Sequence, residues 1–218
     1  MTFLVALLIA TGAVADTLPT APPPVEREAP PAPPWTRDCP DGTVAKVETM
    51  RVGCTDCDPK GTVFTCRNDN GQIHGPFWMT AADGAPYTLR ERDRGRNVGR
   101  ETLWKFGRIH SDGYYDAGQH VGWWMLVSDD LSPRILHASE NPPAEFKEIV
   151  AIVQANPGLT GALLAKRLPN EKRHLAADAI KANALHEHAT EGWVEWRRYE
   201  KGRVVDKAYS PRPEWAGK

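Results

Sequence analysis

Among the side chains of this chain able to do chemistry, four cysteines and a few histidines are spaced closely enough to cooperate. Cys54-Thr-Asp-Cys57 has the spacing of a zinc-ligand pair or a redox pair. A four-thiolate zinc site brings two such pairs, and Cys39 and Cys66 instead stand alone. A redox pair sits at a helix N-terminus, whereas Asp56, Asp58 and Pro59 read as a turn. Two disulfides remain as the reading. Four cysteines allow three pairings, of which Cys39 with Cys66 and Cys54 with Cys57 is favoured: one long loop and one local bridge. His186-Glu-His188 reads as a solvated helix end, where side chains two apart point to different faces and share a metal poorly. His74 and His120 fall beside glycine turns and are expected to bond backbone there. No GxSxG, P-loop, HExxH or dinucleotide fingerprint occurs. The expectation is a non-enzymatic chain with no catalytic residue, cofactor or metal.

The tryptophans follow a different regularity. Three stretches carry a glycine, three residues, and a second glycine leading into bulky side chains. They are Gly71-Gln-Ile-His-Gly75 before Trp78, Gly95-Arg-Asn-Val-Gly99 before Trp104, and Gly118-Gln-His-Val-Gly122 before Trp123 and Trp124. Their first glycines lie 24 and 23 residues apart, with further turns expected at Asp83-Gly84, Gly107 and Asp112-Gly113. Each period then holds two short strands, a hairpin too small to bury its own apolar face. Stacked hairpins predict an antiparallel β-meander with aromatics along one face. Trp78, Trp104 and Trp124 are the expected contact residues, exposed and in one register. The fragments NGQIHGPFW, GRNVGRETLW and DAGQHVGWW resemble MORN (membrane occupation and recognition nexus) repeats over about residues 66–126. That resemblance implies a β-meander used for protein or lipid contact rather than catalysis. Some bacterial relatives of this type are antitoxins.

The elements that would position these residues begin with an export segment. Phe3 to Ala10 is unbroken apolar sequence, and Ala13 and Ala15 supply the small residues a signal peptidase needs. Residues 1–15 therefore read as a signal peptide cleaved before Asp16, which agrees with an even set of cysteines forming disulfides outside the reducing cytoplasm. Residues 16–38 form a proline-rich spacer: eight of the sixteen residues from Pro19 to Pro34 are proline, a composition that extends as polyproline II. Residues 39–130 form the disulfide-anchored repeat body and 131–143 a linker.

Residues 144–211 change pattern. Phe146, Ile149, Val150 and Val153 have helical spacing, ended by Asn156-Pro157-Gly158. Thr160 caps a second helix buried through Leu164 and Leu168, and Asn170 a third carrying Leu175 and Ala179. Trp193–Glu200 and Val204–Ser210 read as a hairpin turning at Lys201-Gly202-Arg203. This order, with NPGLTGALLAKRL, resembles a winged helix, and residues 212–218 form a tail. As a DNA-binding unit it would use Lys172, Arg173, Lys181, Arg198 and Arg203. Its 11 basic and 9 acidic residues, and a whole-chain charge of −1, argue against nucleic acid as the partner. The expected class is α+β: an antiparallel β-meander of MORN-like repeats followed by a small winged-helix-like domain. The expected role is a periplasmic or secreted scaffold contacting a protein or envelope component. The alternatives are a cytosolic DNA-binding regulator and an antitoxin-like protein.

Overall fold

The computed structural model describes residues 29–30, 38–51, 60–105, 107–127 and 132–216. Cleavage at residue 15 and a Cys54–Cys57 bridge lie outside the described residues.

Nine strands form one antiparallel sheet. They are β1 (Thr43–Arg51), β2 (Lys60–Asn68), β3 (Ile73–Thr80), β4 (Pro86–Asp93), β5 (Arg96–Lys105), β6 (Arg108–Asp116), β7 (Gln119–Leu126), β10 (Trp193–Glu200) and β11 (Arg203–Pro211). The spatial order β1-β2-β3-β4-β5-β6-β7-β10-β11 is a pure meander except at one place. Between β7 and β10 the chain leaves to form β8 (Arg134–Ala138), α1 (Lys147–Ala155), α2 (Gly161–Arg167), α3 (His174–Lys181) and β9 (Leu185–Ala189), with β8 and β9 paired as a separate ribbon.

The repeat glycines set this pattern. Arg94-Gly95 and Ala117-Gly118 both take left-handed backbone, at φ 46° and 85° and at φ 47° and 86°. That is the two-residue hairpin turn whose twist matches the strands, and glycine adopts its second position without strain. Lys201-Gly202 does the same at φ 50° and 74°. At each of these tips the glycine N–H also donates backward across the sheet: Gly95 to the Ile73 carbonyl (2.8 Å), Gly118 to Asn97 (2.8 Å) and Gly202 to His120 (3.3 Å). The β10–β11 hairpin is therefore the next unit of the array. The sequence carries a sign of it: Asp69-Asn-Gly-Gln, Asp93-Arg-Gly-Arg, Asp116-Ala-Gly-Gln and Glu200-Lys-Gly-Arg share an acidic residue two before the glycine and Gln or Arg one after.

Two expectations are corrected here. Asp112-Gly113 is not a turn but the middle of β6, because the chain reverses at the β5–β6 connection before it and at Ala117-Gly118 after it. The hairpin read as the wing of a separate helical unit is hydrogen-bonded to β7, with Trp196 opposite Met125 and Arg197 opposite Trp124.

The sheet has two unlike faces. Strand pairing lines up one unbroken row on the first: Phe64, Trp78, Leu89, Thr102, Asp112, Met125, Trp196 and Ala208, one from each of β2 to β11. With Trp104, Ile109 and Val194 this tryptophan face forms one core, joined at its C-terminal end by Trp215 and Ala216. Adjacent registers place Phe77, Arg90, Glu101, Gly113, Trp124, Arg197 and Lys207 on the second, mixed face.

The helices form a second core through Phe146, Ile149, Val150, Val153, Leu159, Leu164 and Ala179, closed by Leu136 and Leu185 of the ribbon. Thr160 accepts the Leu163 N–H (3.2 Å) as the cap of α2, and the chain leaves α1 at Asn156. This unit meets the sheet at β11. Tyr209 packs against the helical core. Arg167 reaches Asp206 (3.6 Å), and Gly158 lies so close to the Tyr209 carbonyl that a Cβ would sit 2.0 Å from its oxygen.

Candidate functional site

Trp78, Trp104 and Trp124 do not share a face. Trp78 and Trp104 stand on the tryptophan face, while Trp124 stands on the mixed face against Tyr115 and Tyr199. The reason is strand parity. Counted from the second glycine of each repeat, Trp78 is at +3, Trp104 at +5 and Trp123 at +1, all odd, whereas Trp124 is at +2. The partner of Trp78 and Trp104 is accordingly Trp123, which joins their core. Nor are the three exposed: Trp104 keeps 7% and Trp124 4% of its surface, and Trp78 is half-buried. Trp78 stacks on Phe64 with ring centres 5.1 Å apart. Trp124 lies over Gly113, where a Cβ would fall 2.0 Å from the indole, and donates Nε1–H to the Tyr114 carbonyl (3.0 Å).

What the mixed face does offer is a half-buried ring ladder near the hairpin tips. Tyr115 of β6 and His120 of β7 pair across the strands, and Tyr199 of β10 follows. Their ring centres are 4.6 Å (Tyr115–His120) and 4.8 Å (His120–Tyr199) apart. Trp124 meets His120 edge-on at 4.4 Å, forming the floor. Tyr115 and Tyr199 occupy equivalent positions, three before the turn glycines Gly118 and Gly202, and Arg92 holds that position before Gly95. The next repeat along thus presents guanidinium in place of a ring. Arg92 and Arg90 lie over Phe77, their guanidinium carbons 5.3 Å and 5.1 Å from its centre.

Charge within this face is partly desolvated. Arg90 lies 3.1 Å from Glu101. Burial pushes the Glu101 carboxyl above the usual carboxylate range despite Arg90 and Arg92 beside it. Burial, with Glu101 nearby, raises the Tyr115 phenol, and burial lowers the His120 imidazole. Farther from the tips Glu195 is nearly covered. Burial pushes its carboxyl up, but the bonds from Arg197 and Lys207 (Nζ 3.2 Å away) outweigh this and hold it below the ordinary value. Tyr209 donates to Glu195 Oε2 (3.2 Å), and burial followed by that negative charge pushes its phenol up to about 12.

The other sequence-predicted residues fall elsewhere. Cys39 and Cys66 form the expected disulfide. His186 and His188 are not at a helix end: they lie on β9, where residues two apart share a face, and His137 of β8 is opposite His186. The helix ends at Lys181 because Asn183 takes left-handed backbone at φ 56°, with the Ala184 N–H donating back to the Ala179 carbonyl (2.8 Å), and the chain then turns into the ribbon. The His137 and His188 rings meet edge-on at 5.0 Å, yet no three His, Cys, Asp or Glu side chains among the described residues converge as a metal site. His74 sits 3.1 Å from Asp93. Lys172 is bonded to Glu148 (3.0 Å), Arg173 donates to the Leu168 carbonyl (3.4 Å), and Lys181 lies 4.0 Å from Asp178. Arg198, 3.5 Å from Glu200, and the exposed Arg203 belong to the large sheet rather than the helical unit. Sequence reasoning did not name Tyr115, Tyr199 or Arg92 as contact residues, reading Arg90–Arg94 as a solvated strand end; their shared offset from the turn glycine was the signal.

Among the described residues no helix is long and apolar enough to cross a membrane. No protein-family model matches the chain, and no curated protein and no solved structure is found to be similar to it.

Proposed function

We propose that the protein is an exported, non-enzymatic binding scaffold, periplasmic or secreted, whose MORN-like β-repeat array meets a protein partner through the mixed face. The observation that carries this reading is the ring ladder Tyr115–His120–Tyr199 on the mixed face, where the equivalent repeat positions Tyr115, Tyr199 and Arg92 present half-buried aromatics and, two strands from Tyr115, a guanidinium. Tyr, Trp and Arg concentrate binding energy at protein interfaces because they bury much area for few rotors. A rigid sheet holds them in fixed relation, so little ordering is lost on contact. The Cys39–Cys66 disulfide supports maturation in an oxidising compartment. The two-strands-per-turn meander, with a fourth tip at Gly202, supports the MORN resemblance.

The test has two arms. Intact mass of the protein purified from its native compartment should give a chain beginning at Asp16 with its cysteines oxidised. An intact Met1 with free thiols would sink the export reading. Cross-linking in envelope extracts should yield adducts with the wild type that are lost from the triple variant Tyr115→Ala, His120→Ala, Tyr199→Ala while its circular dichroism is unchanged. Adducts surviving in that variant would remove the mixed face as the contact surface.

A further inference from the structure

Three of the chain's seven histidines fall on the small β8–β9 ribbon, and strand register decides which way they face. His137 is directly opposite His186, and Ile135 is opposite His188. Direct partners in an antiparallel pair share a face, as do residues two apart on one strand. His137, His186 and His188 therefore stand on the same face. A helix would turn the two imidazoles of His186-Glu-His188 apart, and the strand does the opposite. Leu136 and Glu187 take the reverse face together with Arg134, 3.9 Å from Glu187. The ribbon's own guanidinium is thus directed away from the histidines.

The spacing of the imidazoles suits a metal ion. Zinc binds imidazole nitrogen at about 2.0–2.1 Å in tetrahedral geometry, so two rings on one ion have their centres about 5 Å apart. The His137 and His188 rings, on opposite strands, are 5.0 Å apart. As placed, the three side chains do not close on one point. All three are exposed, however, so His186 can turn toward its cross-strand partner without displacing a packed neighbour. Pairing geometry sets its Cβ about 5 Å from that of His137. Three imidazoles with water in the fourth position are a ligand set that zinc accepts, and imidazole favours late first-row divalent ions in general.

We propose that His137, His186 and His188 form a surface site for a late first-row divalent metal ion of the zinc type. The ion joins the two strands that bracket α1, α2 and α3 in the chain, so it clips shut the segment containing them. The site uses no property of the mixed face, and it stands whether or not the ring ladder contacts a partner.

The test titrates the untagged, oxidised mature chain, with any residual thiols alkylated, with zinc chloride in a calorimeter. Expected is one zinc ion per chain. Each of His137→Ala, His186→Ala and His188→Ala should weaken binding by at least about tenfold, whereas His74→Ala and His174→Ala leave it unchanged. Wild-type affinity in any of the first three variants, or no saturable binding by the wild type, would overturn the site. A measurement on the unmutated chain guards against misfolded variants: zinc should shift the imidazole nuclear magnetic resonance signals of these three histidines and no others, and shifts confined to other histidines would also overturn it. The clip has its own readout. Free zinc at about 100 times Kd raises the folded-to-unfolded ratio about a hundredfold, so the helical far-ultraviolet signal should persist to higher urea concentration with zinc present. An unmoved transition would rule out the clip.

Discussion

Gly113 carries the most local constraint in the mixed face. The Trp124 indole occupies the space a side chain would need, so the ring and the bare backbone are complementary. Gly113→Ala forces the indole off its floor position, and the expected cost is about 1–3 kcal/mol in urea unfolding. Loss of the edge-on contacts to His120 and Tyr199 should appear as a changed near-ultraviolet spectrum. Tyr209 supports a second residue-scale prediction. Its folded-state value of about 12 lies above the ordinary phenol value of 10, so the folded chain holds a proton that the unfolded chain releases between those limits. Stability should therefore fall as pH rises from about 10 to 12, and Tyr209→Phe should flatten that decline in unfolding measured across the range. At this scale much was legible: Cys39–Cys66 belonged to the favoured one of three pairings, and the Thr160 cap and the turn glycines other than Gly113 follow from residue type and spacing. The faces of the tryptophans were legible too, through parity from the second glycine. Adjacent Trp123 and Trp124 made the choice look free, although one of two neighbours in a strand must turn away.

Among elements, the informative event is the departure between β7 and β10. Leu126 and Glu195 are direct partners in the ladder, so the array closes as though residues 128–192 were absent. Replacing that segment with a four-residue turn should leave an antiparallel meander that keeps its near-ultraviolet tryptophan signal and loses its helical far-ultraviolet component, at reduced stability because Tyr209 and Arg167 lose each other's surroundings. A collapse of the near-ultraviolet signal would show that the helical unit is required to form the sheet. Sequence reading found the β10–β11 hairpin and its turn but attached it to the helices before it, since Gly202 lies 84 residues after Gly118 whereas its predecessors are 24 and 23 apart. Periodicity fails across an insertion. The tip signature of an acidic residue, one spacer, glycine, then Gln or Arg does not, because it is written by local turn geometry. His186-Glu-His188 was illegible for another reason: five residues of edge ribbon, with only Leu185 buried, show too little alternation to oppose a helical reading.

For the molecule as a whole, the disulfide ties the start of the folded region to β2 across a separation of 27 residues. By the loop-closure estimate a ring of this size contributes about 3.5 kcal/mol. Cys39→Ser with Cys66→Ser should lower the urea-unfolding free energy by about that amount. If the double variant were as stable as the oxidised chain, the unfolded state would already be held compact by other means. The α+β composition followed from the sequence because glycine spacing and helical periodicity occupy separate stretches. The division into two consecutive modules did not, since strand partners are chosen by the sheet edge available at β7 and not by nearness along the chain.

The position of that crosslink also decides how the molecule would bear load. A pull on the proline-rich spacer enters the fold through the sulfur bridge at Cys66 and not through Thr43, so β1 and β2 up to Cys66 hang together in a slack covalent bight and carry no tension. Force applied there passes directly into the turn that leads to β3. An oxidised chain tugged from its amino end in a force spectrometer would accordingly unravel to a length shorter by the 27-residue separation the bridge spans than the same chain with its bridge opened.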